Sequence, residues 1–282
     1  MLAQRLPSIL PDLTFKEYLE IIKIHSIAGT LNTSDLLNMP RPFRTPHYTI
    51  SKSALIGGGI IPKPGEISLA HQGVLFLDEL PEFKREILDL LRTPLEDRKI
   101  ALNRFYGAVD YPANFMLIAS MNPCSCGYFA SGIKECTCSK EQISKYIHKI
   151  SGPLLDRIDI HIEVQPVQYS ELSNSKTSES SEEIKKRVNT AKQIQLQRYE
   201  NDNIFSNSEL TPTLIKKYCR LSHECDELLK KAFISLNLSA RAHDRIIKLA
   251  RTIADLDNSK NIKLNHLAEA IQYRSLDRKY WS

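Results

Sequence analysis

Two adjacent carboxylates, Asp78 and Glu79, follow directly after a short apolar run in the string GVLFLDEL at residues 73–80. An unbroken apolar run of this length is typical of a strand that is buried on both faces of a parallel sheet. Open α/β sheets hold their ligands at the carboxyl ends of such strands. There the first carboxylate could hold Mg²⁺, directly or through water, while the second orients a water for attack on a phosphate. A core strand followed by an acidic turn would give the same string, so the other motifs must decide.

A second apolar string, FMLIAS at residues 115–120, is also typical of a buried strand and leads into Asn122. A polar residue at the tip of a neighbouring strand can contact the terminal phosphate of a nucleotide or position its attacking water. Further along the chain, Arg157 stands on a predicted turn in SGPLLDRIDI, and Arg241 and Arg245 open the helical string LSARAHDRIIKL. Arginine keeps its charge at any relevant pH, and its planar fork matches phosphate oxygens. For each arginine taken alone, a surface ion pair is the simpler interpretation.

Four of the six cysteines, Cys124, Cys126, Cys136 and Cys138, form the pattern C-x-C-x₉-C-x-C. In a cytosolic chain, clustered cysteines favour a metal site over disulfides. Four thiolates could hold a tetrahedral Zn²⁺, and such a site would be structural rather than catalytic. Reduced free thiols are the main alternative, and a redox role is a further one. The other two cysteines, Cys219 and Cys225, fit ordinary positions in helices.

The residues that precede the acidic strand predict helix and then a loop-rich insertion. Residues 1–28 have helical periodicity with a break around Pro11. The stretch 38–72 is rich in Pro and Gly, which indicates loops with short strands or a hairpin rather than long regular elements.

The residues that follow the acidic strand predict two helices and two strands. The string PEFKREILDLLRTPLED predicts a helix that ends at Pro94. Ser139 and Gln142 form a capping-box pattern that opens a helix over 140–149. Beyond the asparagine strand, IDIHIEV at 158–164 alternates as a final strand would.

The composition changes at residues 166–183, where the string SELSNSKTSESSEE has no apolar period and predicts a linker. Beyond it, apolar periodicity predicts helices over about 182–200, 212–220, 223–236, 239–256 and 265–273. In the fourth of these helices, Ile246, Leu249, Ala250 and Ile253 share one face. The predicted organisation is therefore an α/β domain at 1–165, the linker, and a helical domain at 184–282.

The positive charge of the chain is concentrated in its carboxyl-terminal third. Residues 183–282 carry 19 Lys and Arg against 12 Asp and Glu, a net +7, whereas the whole chain has a net charge of +5. This suits a polyanion such as nucleic acid, although a solvated helical surface would look the same. No run of 18 apolar residues is present, and the opening string MLAQRLPSILPDL is broken by Arg5, Pro7 and Pro11. We therefore expect no membrane span, no signal peptide and a cytoplasmic location.

The order of the motifs adds information that no single motif carries. An acidic strand, an asparagine strand, a turn arginine and an arginine-bearing helical domain, in this order, resemble the α/β core and lid of a AAA+ ATPase. Longer strings resemble the ComM/YifB subfamily of magnesium-chelatase-like proteins, namely PFRTPHYTIS, GEISLAHQGVLFLDELPEF, NPCSCGYF, SGPLLDRIDIHIEV, LSARAHDRI and HLAEAIQYRSLDR. They are spread over nearly the whole chain, which makes the resemblance specific.

The resemblance implies a role for each matching position. Asp78 and Glu79 would be the Walker B pair for Mg²⁺ and the attacking water, and Asn122 would be sensor 1. Arg157 would be an arginine finger that reaches the nucleotide of a neighbouring subunit. Arg241 would be the sensor 2 arginine of the lid, with Arg245 as the competing choice one turn later. The implied cofactors are ATP and Mg²⁺, and the implied partner is the same chain in a homo-hexameric ring.

One motif of such ATPases, the phosphate-binding loop G-x-x-x-x-G-K-[ST], does not occur in the 282 residues. The string GGGIIPKPG lacks its Gly-Lys-Ser/Thr step and lies in the predicted insertion. In the family, the residues behind this loop resemble MLAQRLPSILP, so we expect a chain truncated just after the loop and without the Lon-protease-like amino-terminal domain. We therefore expect the isolated chain to bind ATP weakly and to hydrolyse it poorly.

For the complete protein, the resemblance implies a motor that processes DNA by branch migration or helicase activity in natural transformation. DNA is then an expected partner, and Lys52 and Lys63 in the insertion are weak candidates for contacts with its phosphates. One alternative is a magnesium chelatase subunit in tetrapyrrole synthesis. Another is a non-enzymatic remnant or an assembly module that lends Arg157 to an intact neighbour.

Overall fold

The computed structural model of the chain describes residues 2–31, 39–104, 107–130, 132, 134–164, 179–202, 204–236 and 238–274. The chain divides into two compact units. The first contains Met1–Pro7 and Asp12–Arg157, and the second contains Ser8–Pro11 and Ile158–Ser282. Each unit has its own buried apolar core.

The first unit is built on a parallel sheet of three short strands. The strands of the whole unit, numbered in chain order, are β1 (Phe43–Arg44), β2 (Gly57–Gly58), β3 (Lys63–Pro64), β4 (Val74–Leu77), β5 (Lys99–Arg104), β6 (Gly107–Pro112) and β7 (Met116–Ala119). The sheet has the order β1-β4-β7, and both pairings are parallel. β4 is the central strand, and its Val74, Leu75 and Leu77 are at most 1% exposed. The predicted α/β class with a parallel core and a helical carboxyl-terminal part is confirmed.

Gly73 allows β1 and β4 to lie this close together. A Cβ atom at this position would lie 2.0 Å from the carbonyl oxygen of Pro42. The next residue, Val74, donates its N–H to the same oxygen over 2.8 Å. A side chain at position 73 would therefore push the strands apart at their first hydrogen bond.

Two antiparallel hairpins accompany the sheet. β2 pairs with β3 inside the loop-rich insertion, and β5 pairs with β6 between β4 and β7 in the sequence. The first corresponds to the short hairpin that the composition of the insertion indicates, while the second has no counterpart among the sequence predictions. Tyr111 of β6 is 5% exposed, and its hydroxyl donates to the carbonyl of Pro62 over 2.7 Å. This bond ties the two hairpins to each other.

The helices of the first unit are short, apart from α2. They are α1 (Leu2–Arg5), α2 (Phe15–Ala28), α3 (Lys52–Ile56), α4 (Glu66–Leu69), α5 (Arg85–Asp89), α6 (Arg92–Asp97), α7 (Lys140–Ile147) and α8 (Gly152–Leu155). The predicted capping box of Ser139 and Gln142 is present at the start of α7. Each of its two side chains accepts a backbone N–H that would otherwise lack a partner.

Pro94 does not end the helix that follows the acidic strand, so this prediction is wrong. The chain makes a 3₁₀ turn at Leu80–Glu82 and then forms the separate helices α5 and α6. Pro94 is the third residue of α6 and is buried. The first turn of a helix leaves its N–H groups without intrahelical partners, so a proline is tolerated there.

The string IDIHIEV at 158–164 is not a strand, although its alternation predicts one. Within the described residues it pairs with no strand. Its backbone instead donates from His161 N–H to the carbonyl of Tyr273 over 3.0 Å, and the carbonyl of Ile158 accepts from Arg274. Ile162 is 67% exposed. Alternation thus identifies a segment that suits a sheet, but a strand also requires a neighbour with backbone groups to pair.

The second unit is helical. Its helices are α9 (Ser181–Arg198), α10 (Pro212–Tyr218), α11 (His223–Ser235), α12 (Ala240–Leu256) and α13 (Leu264–Gln272), so all five predicted helices are present within about two residues at each end. Ile246 and Ala250 on the predicted face of α12 are at most 1% exposed. Most of the predicted linker lies outside the described residues, and its last three residues belong to α9.

A buried ionic network lies among these helices. The carboxylate of Asp255 is fully buried and is paired with Arg198 and Arg251. Arg198 Nη1 donates to Oδ2 over 2.8 Å, and Arg251 Nε donates to Oδ1 over 3.1 Å. Asn207 Nδ2 also donates to Oδ2, over 2.8 Å. The desolvation cost of a buried carboxylate is thus offset by hydrogen bonds to both of its oxygens.

Candidate functional site

The carboxyl ends of β4 and β7 lie side by side. Leu77 pairs with Ala119, so the residues that follow each strand emerge at the same edge of the sheet. Ser120 N–H donates to the carbonyl of Leu77 over 3.0 Å, and Leu80 N–H donates to the carbonyl of Ser120 over 2.9 Å. The Ser120 hydroxyl donates to Asp78 Oδ1. These bonds fix Asp78 against the tip of the neighbouring strand.

Glu79 has a left-handed backbone conformation, with φ 54° and ψ 50°. This conformation is costly for a residue with a Cβ atom and is frequent at functional sites. It reverses the chain immediately after the strand, and the Glu79 N–H donates to Asp78 Oδ1 over 3.1 Å. Both carboxylates are exposed at the sheet edge rather than buried beneath it.

Asn122 is exposed and follows β7 by three residues. It belongs to the same sheet edge as the two carboxylates because β4 and β7 are parallel neighbours. The three predicted residues of the first unit, Asp78, Glu79 and Asn122, are thus found at one edge. Exposed carboxylate and amide oxygens are hard donors of the type that Mg²⁺ takes together with water and phosphate oxygens. The residues present therefore fit a magnesium site.

Tyr146 of α7 reaches this edge and is absent from the sequence predictions. Its side chain is 7% exposed. Burial raises the pKa of Tyr146, and the charges of Glu82 and Glu79 raise it further, while the backbone of Asn122 acts in the opposite direction. Tyr146 is buried in α7 next to Ile147, so its spacing indicates only a core position. The sequence alone carried no signal for its contact with the asparagine loop.

The three candidate arginines have different surroundings. Arg157 is 8% exposed, its Nη2 lies 2.7 Å from Glu96 Oε1, and its Nη1 donates to the carbonyl of Pro153. Arg245 forms an ion pair with Asp159 over 2.5 Å. Arg241 is exposed in the first turn of α12. A phosphate ligand would have to displace Glu96 from Arg157 and Asp159 from Arg245.

The four clustered cysteines converge in the loop between β7 and α7. The Sγ atoms of Cys124, Cys126, Cys136 and Cys138 all lie within 4.8 Å of one another. Three of the separations are 3.3 Å, 3.7 Å and 3.6 Å, for the pairs 124–126, 124–136 and 126–136. A disulfide would require about 2.05 Å. A tetrahedron with Zn–S bonds of about 2.3 Å has edges of about 3.8 Å, so the four sulfurs fit a zinc ion.

The thiols of this cluster differ in their ease of ionisation. Backbone N–H groups of Tyr128 and Thr137 lower the pKa of Cys126 to about 5. The backbone N–H of Cys138 favours ionisation of Cys136 as well, but burial and the neighbouring sulfurs outweigh it and raise the pKa of Cys136 to about 12. In the metal-free cluster one sulfur is therefore a thiolate near neutral pH while another keeps its proton. A thiolate is the form that binds metal, so the cluster already offers a first ligand.

Two surface hollows among the described residues lie away from these sites. A hollow of about 460 Å³ is lined by residues between Phe43 and Glu66, and a second of about 440 Å³ lies between Ser53 and Leu69. Arg44 and Glu66, which line the first, are held in a bidentate ion pair with two contacts of 2.6 Å. This pair satisfies the charged groups of the hollow internally, so the chemistry of the strand tips identifies the candidate site better than the size of a cavity.

Comparison with known proteins places the chain in a family of this architecture. Residues 1–172 match the family model for magnesium chelatase, subunit ChlI, and residues 178–274 match the model for the ChlI carboxyl-terminal part. The chain therefore belongs to the magnesium chelatase ChlI family, a group of AAA+ proteins. The predicted resemblance to its ComM/YifB subfamily is confirmed.

Individual relatives match over almost the whole chain. An uncharacterized protein, YifB, of Salmonella typhimurium is 44% identical over 279 residues, which cover 99% of this chain and 54% of the relative. The competence protein ComM of Haemophilus influenzae is 43% identical over 280 residues, 99% of this chain and 53% of the relative. An uncharacterized protein, Rv2897c, of Mycobacterium tuberculosis is 38% identical over 275 residues, 97% and 54%. The chain thus spans about half the length of the curated relatives it matches.

Among the described residues, no helix has both the length and the apolar character needed to cross a membrane.

Proposed function

We propose that this chain forms the magnesium-binding and water-activating part of a AAA+ ATPase that couples ATP hydrolysis to work on DNA. The observation that carries the proposal is the pairing of β4 with β7, which gathers Asp78, Glu79 and Asn122 at one sheet edge. Membership of the magnesium chelatase ChlI family supports it. The activity belongs to a protein in which a phosphate-binding loop accompanies these residues.

Each strand-tip residue has a distinct part in this proposal. Asp78 holds Mg²⁺, and its Oδ1 is oriented by Ser120 and by the N–H of Glu79. Glu79 orients the attacking water and takes up its proton as the new bond to the terminal phosphorus forms and the bond from that phosphorus to the ADP oxygen breaks. Asn122 donates from its side-chain amide to the terminal phosphate or to the same water. When bound, Mg²⁺ supplies the charge that offsets the phosphate oxygens.

The arginines complete the nucleotide site in a ring of identical subunits, which we propose to be a hexamer. Arg157 acts on the nucleotide of the neighbouring subunit and exchanges its contact with Glu96 for a phosphate. Arg241 is our first choice for the lid arginine because it is the third residue of the string SAR, and Arg245, one turn later, is the second.

DNA is the proposed substrate of the motor, with branch migration or helicase activity in natural transformation as its purpose. Two observations support it: the net +7 charge of residues 183–282 and the 43% identity to a protein named for competence. DNA affinity should fall steeply with added salt if the contacts are made to phosphates.

A magnesium chelatase subunit of tetrapyrrole synthesis is the alternative that the family description favours. A non-enzymatic remnant or an assembly module is the third hypothesis. The cytoplasmic location is a separate prediction.

The test is ATP hydrolysis by two purified proteins. One is the 282-residue chain, and the other is the same chain fused behind the preceding region of the Haemophilus influenzae relative. We expect the chain alone to hydrolyse ATP poorly and the fusion to hydrolyse it with stimulation by DNA. Glu79→Gln should lower the rate of the fusion by about 100-fold or more, because a general base is lost.

Each outcome of this test bears on a separate part of the proposal. Clear hydrolysis by the chain alone, abolished by Glu79→Gln, would refute its predicted ATPase deficiency. If Glu79→Gln left the hydrolysis rate of the fusion unchanged, the catalytic role assigned to the strand-tip residues would be refuted. Stimulation by chelatase partner subunits and porphyrin, but not by DNA, would favour the chelatase alternative.

We also propose that the four cysteines bind one structural zinc ion. The donor set and the sulfur separations of 3.3–3.7 Å support it. Metal analysis of protein purified without chelator tests it, and four titratable thiols with no zinc would end the idea.

A further inference from the structure

The cysteine cluster closes the loop that leads from the candidate catalytic edge to helix α7. Cys124 follows Asn122 by two residues, and Cys138 directly precedes Ser139, the residue that caps α7. Among the described residues between β7 and α7, the backbone forms no helix or strand. The four sulfurs therefore join the two ends of a long irregular loop, and a metal ion that links them removes much of the conformational freedom of the loop.

The start of the loop is anchored in the protein interior. Cys124 is fully buried, and its Sγ accepts the N–H of Phe129 over 3.4 Å. Cys126, Cys136 and Cys138 are partly exposed. A zinc ion in this cluster would therefore connect a buried sulfur with three partly exposed ones and would hold the outer part of the loop to the core.

Helix α7 returns to the candidate site at its other end. Its Tyr146 is 7% exposed, and Lys149 beyond the helix lies over the Tyr146 ring, 5.5 Å from its centre. The same lysine pairs with Glu82 over 3.5 Å, and Glu82 belongs to the turn that follows Glu79. Tyr146 thus lies on a helix that starts directly after the cluster and ends beside the acidic turn.

We propose that zinc in the four-cysteine site fixes Asn122 at one end of the loop and helix α7, which carries Tyr146, at the other. The metal would hold the asparagine at a set distance from Asp78 and Glu79. The consequence for hydrolysis rests on the proposed function, whereas the coupling between zinc and Tyr146 does not. Binding is a ligand exchange in which the sulfurs replace water on the zinc ion, and each cysteine that is still protonated gives its proton to the buffer.

The experiment uses the 282-residue chain labelled with 3-fluorotyrosine and observed by ¹⁹F NMR with and without one equivalent of zinc. Tyr146→Phe assigns the signal of interest. Tyr111 is the matched control, assigned with Tyr111→Phe, because it is 5% exposed in the same unit and its hydroxyl bonds to Pro62. We expect zinc to shift the Tyr146 signal and to leave the Tyr111 signal in place.

Hydrogen exchange on the same samples gives a second readout. Zinc should slow the exchange of amides around Asn122 and in α7 by about tenfold or more, and the β5–β6 hairpin should change little. Tyr146→Phe, which leaves the four cysteines in place, should keep one zinc per chain and the protection at Asn122. Cys136→Ser with Cys138→Ser should abolish both zinc binding and protection.

The possible failures are distinct. Absence of zinc binding would overturn the metal site, and zinc binding without a change at Tyr146 or Asn122 would overturn the positioning role. Neither result depends on ATP hydrolysis, so the proposed function would stand or fall separately. In the active fusion, Cys136→Ser with Cys138→Ser should lower kcat with little change in the KM for ATP, because it alters the position of a catalytic group rather than the binding of the nucleotide.

Discussion

Asp255 and Asp78 are carboxylates of the same chemical type in opposite surroundings. Asp255 is fully buried among helices of the second unit, and both of its oxygens accept hydrogen bonds from Arg198, Arg251 and Asn207. Asp78 is exposed at the end of a strand and accepts from Ser120 and from the backbone of Glu79. A buried carboxylate whose two oxygens both accept hydrogen bonds contributes to stability. An exposed carboxylate can still bind a metal ion.

The largest loss of stability should follow from Asp255→Ala. Removing this carboxylate leaves the buried guanidinium of Arg251 without its charge partner, and we expect a loss of about 3–5 kcal/mol in the free energy of unfolding of the helical unit. Urea unfolding followed by far-ultraviolet circular dichroism measures it. Asp159→Ala is the control, because Asp159 is 55% exposed and pairs with Arg245 at the surface. Equal losses for the two variants would contradict the contrast between a closed network and a surface pair.

A smaller change in the free energy of unfolding should follow from lowering the pH, through protonation of His71, which lies just before the start of β4. Burial lowers the pKa of His71 below its ordinary value of 6.5, against the opposing influence of Glu20. Its Nδ1 accepts the N–H of Asn114 over 3.0 Å, and a proton there would break that bond. The unfolded chain therefore binds more protons than the folded chain as the pH falls below about 6.5, and the free energy of unfolding should decrease in that range.

Urea midpoints measured between about pH 8 and about pH 5 test this dependence. His71→Gln should remove the His71 part of the slope, because glutamine does not titrate. The remaining slope belongs to other groups such as Cys126, whose pKa is lowered to about 5. Glu20 is not the source of the slope, since its pKa lies below 4.5. A slope that persists unchanged in His71→Gln would assign the titration to another group.

The smallest effect on stability should belong to the candidate catalytic residues. Asp78→Asn and Glu79→Gln remove exposed charges and should change the free energy of unfolding by about 0.5 kcal/mol or less. The same substitutions should abolish most hydrolysis in the active fusion. A large loss of stability in either variant would mean that the strand tips are structural, like Asp255.

The predictability of this fold depends on where the determining information lies. The five helices of the second unit were predictable because their apolar faces and capping residues are local. β4 was predictable because a short apolar run between polar residues has few other uses. The strand at 158–164 was predicted wrongly, since a strand depends on a partner that its own residues do not specify. Pro94 was misread because the boundary between α5 and α6 carries no strong local signal.

The candidate site shows the same division. Asp78, Glu79 and Asn122 follow recognisable strands, so their convergence required only the assumption that the strands are parallel neighbours. Tyr146 is brought to them by a loop that contains the cysteine cluster. The periodicity of a sequence does not predict the path of such a loop. Arg157 was identified, but its contact with Glu96 was not, because that pair joins segments far apart in the sequence.

The close approach at Gly73 has a consequence for how genetic screens of this protein would be interpreted. An alanine at this position would place a methyl group against Pro42 at 2.0 Å and would disturb the first hydrogen bond between β1 and β4. Both acidic side chains would remain in the sequence, yet the strand that presents them would be displaced. Such an allele would lose activity and would resemble an active-site mutant, although its defect lies in the spacing of two backbones at the opposite end of the strand.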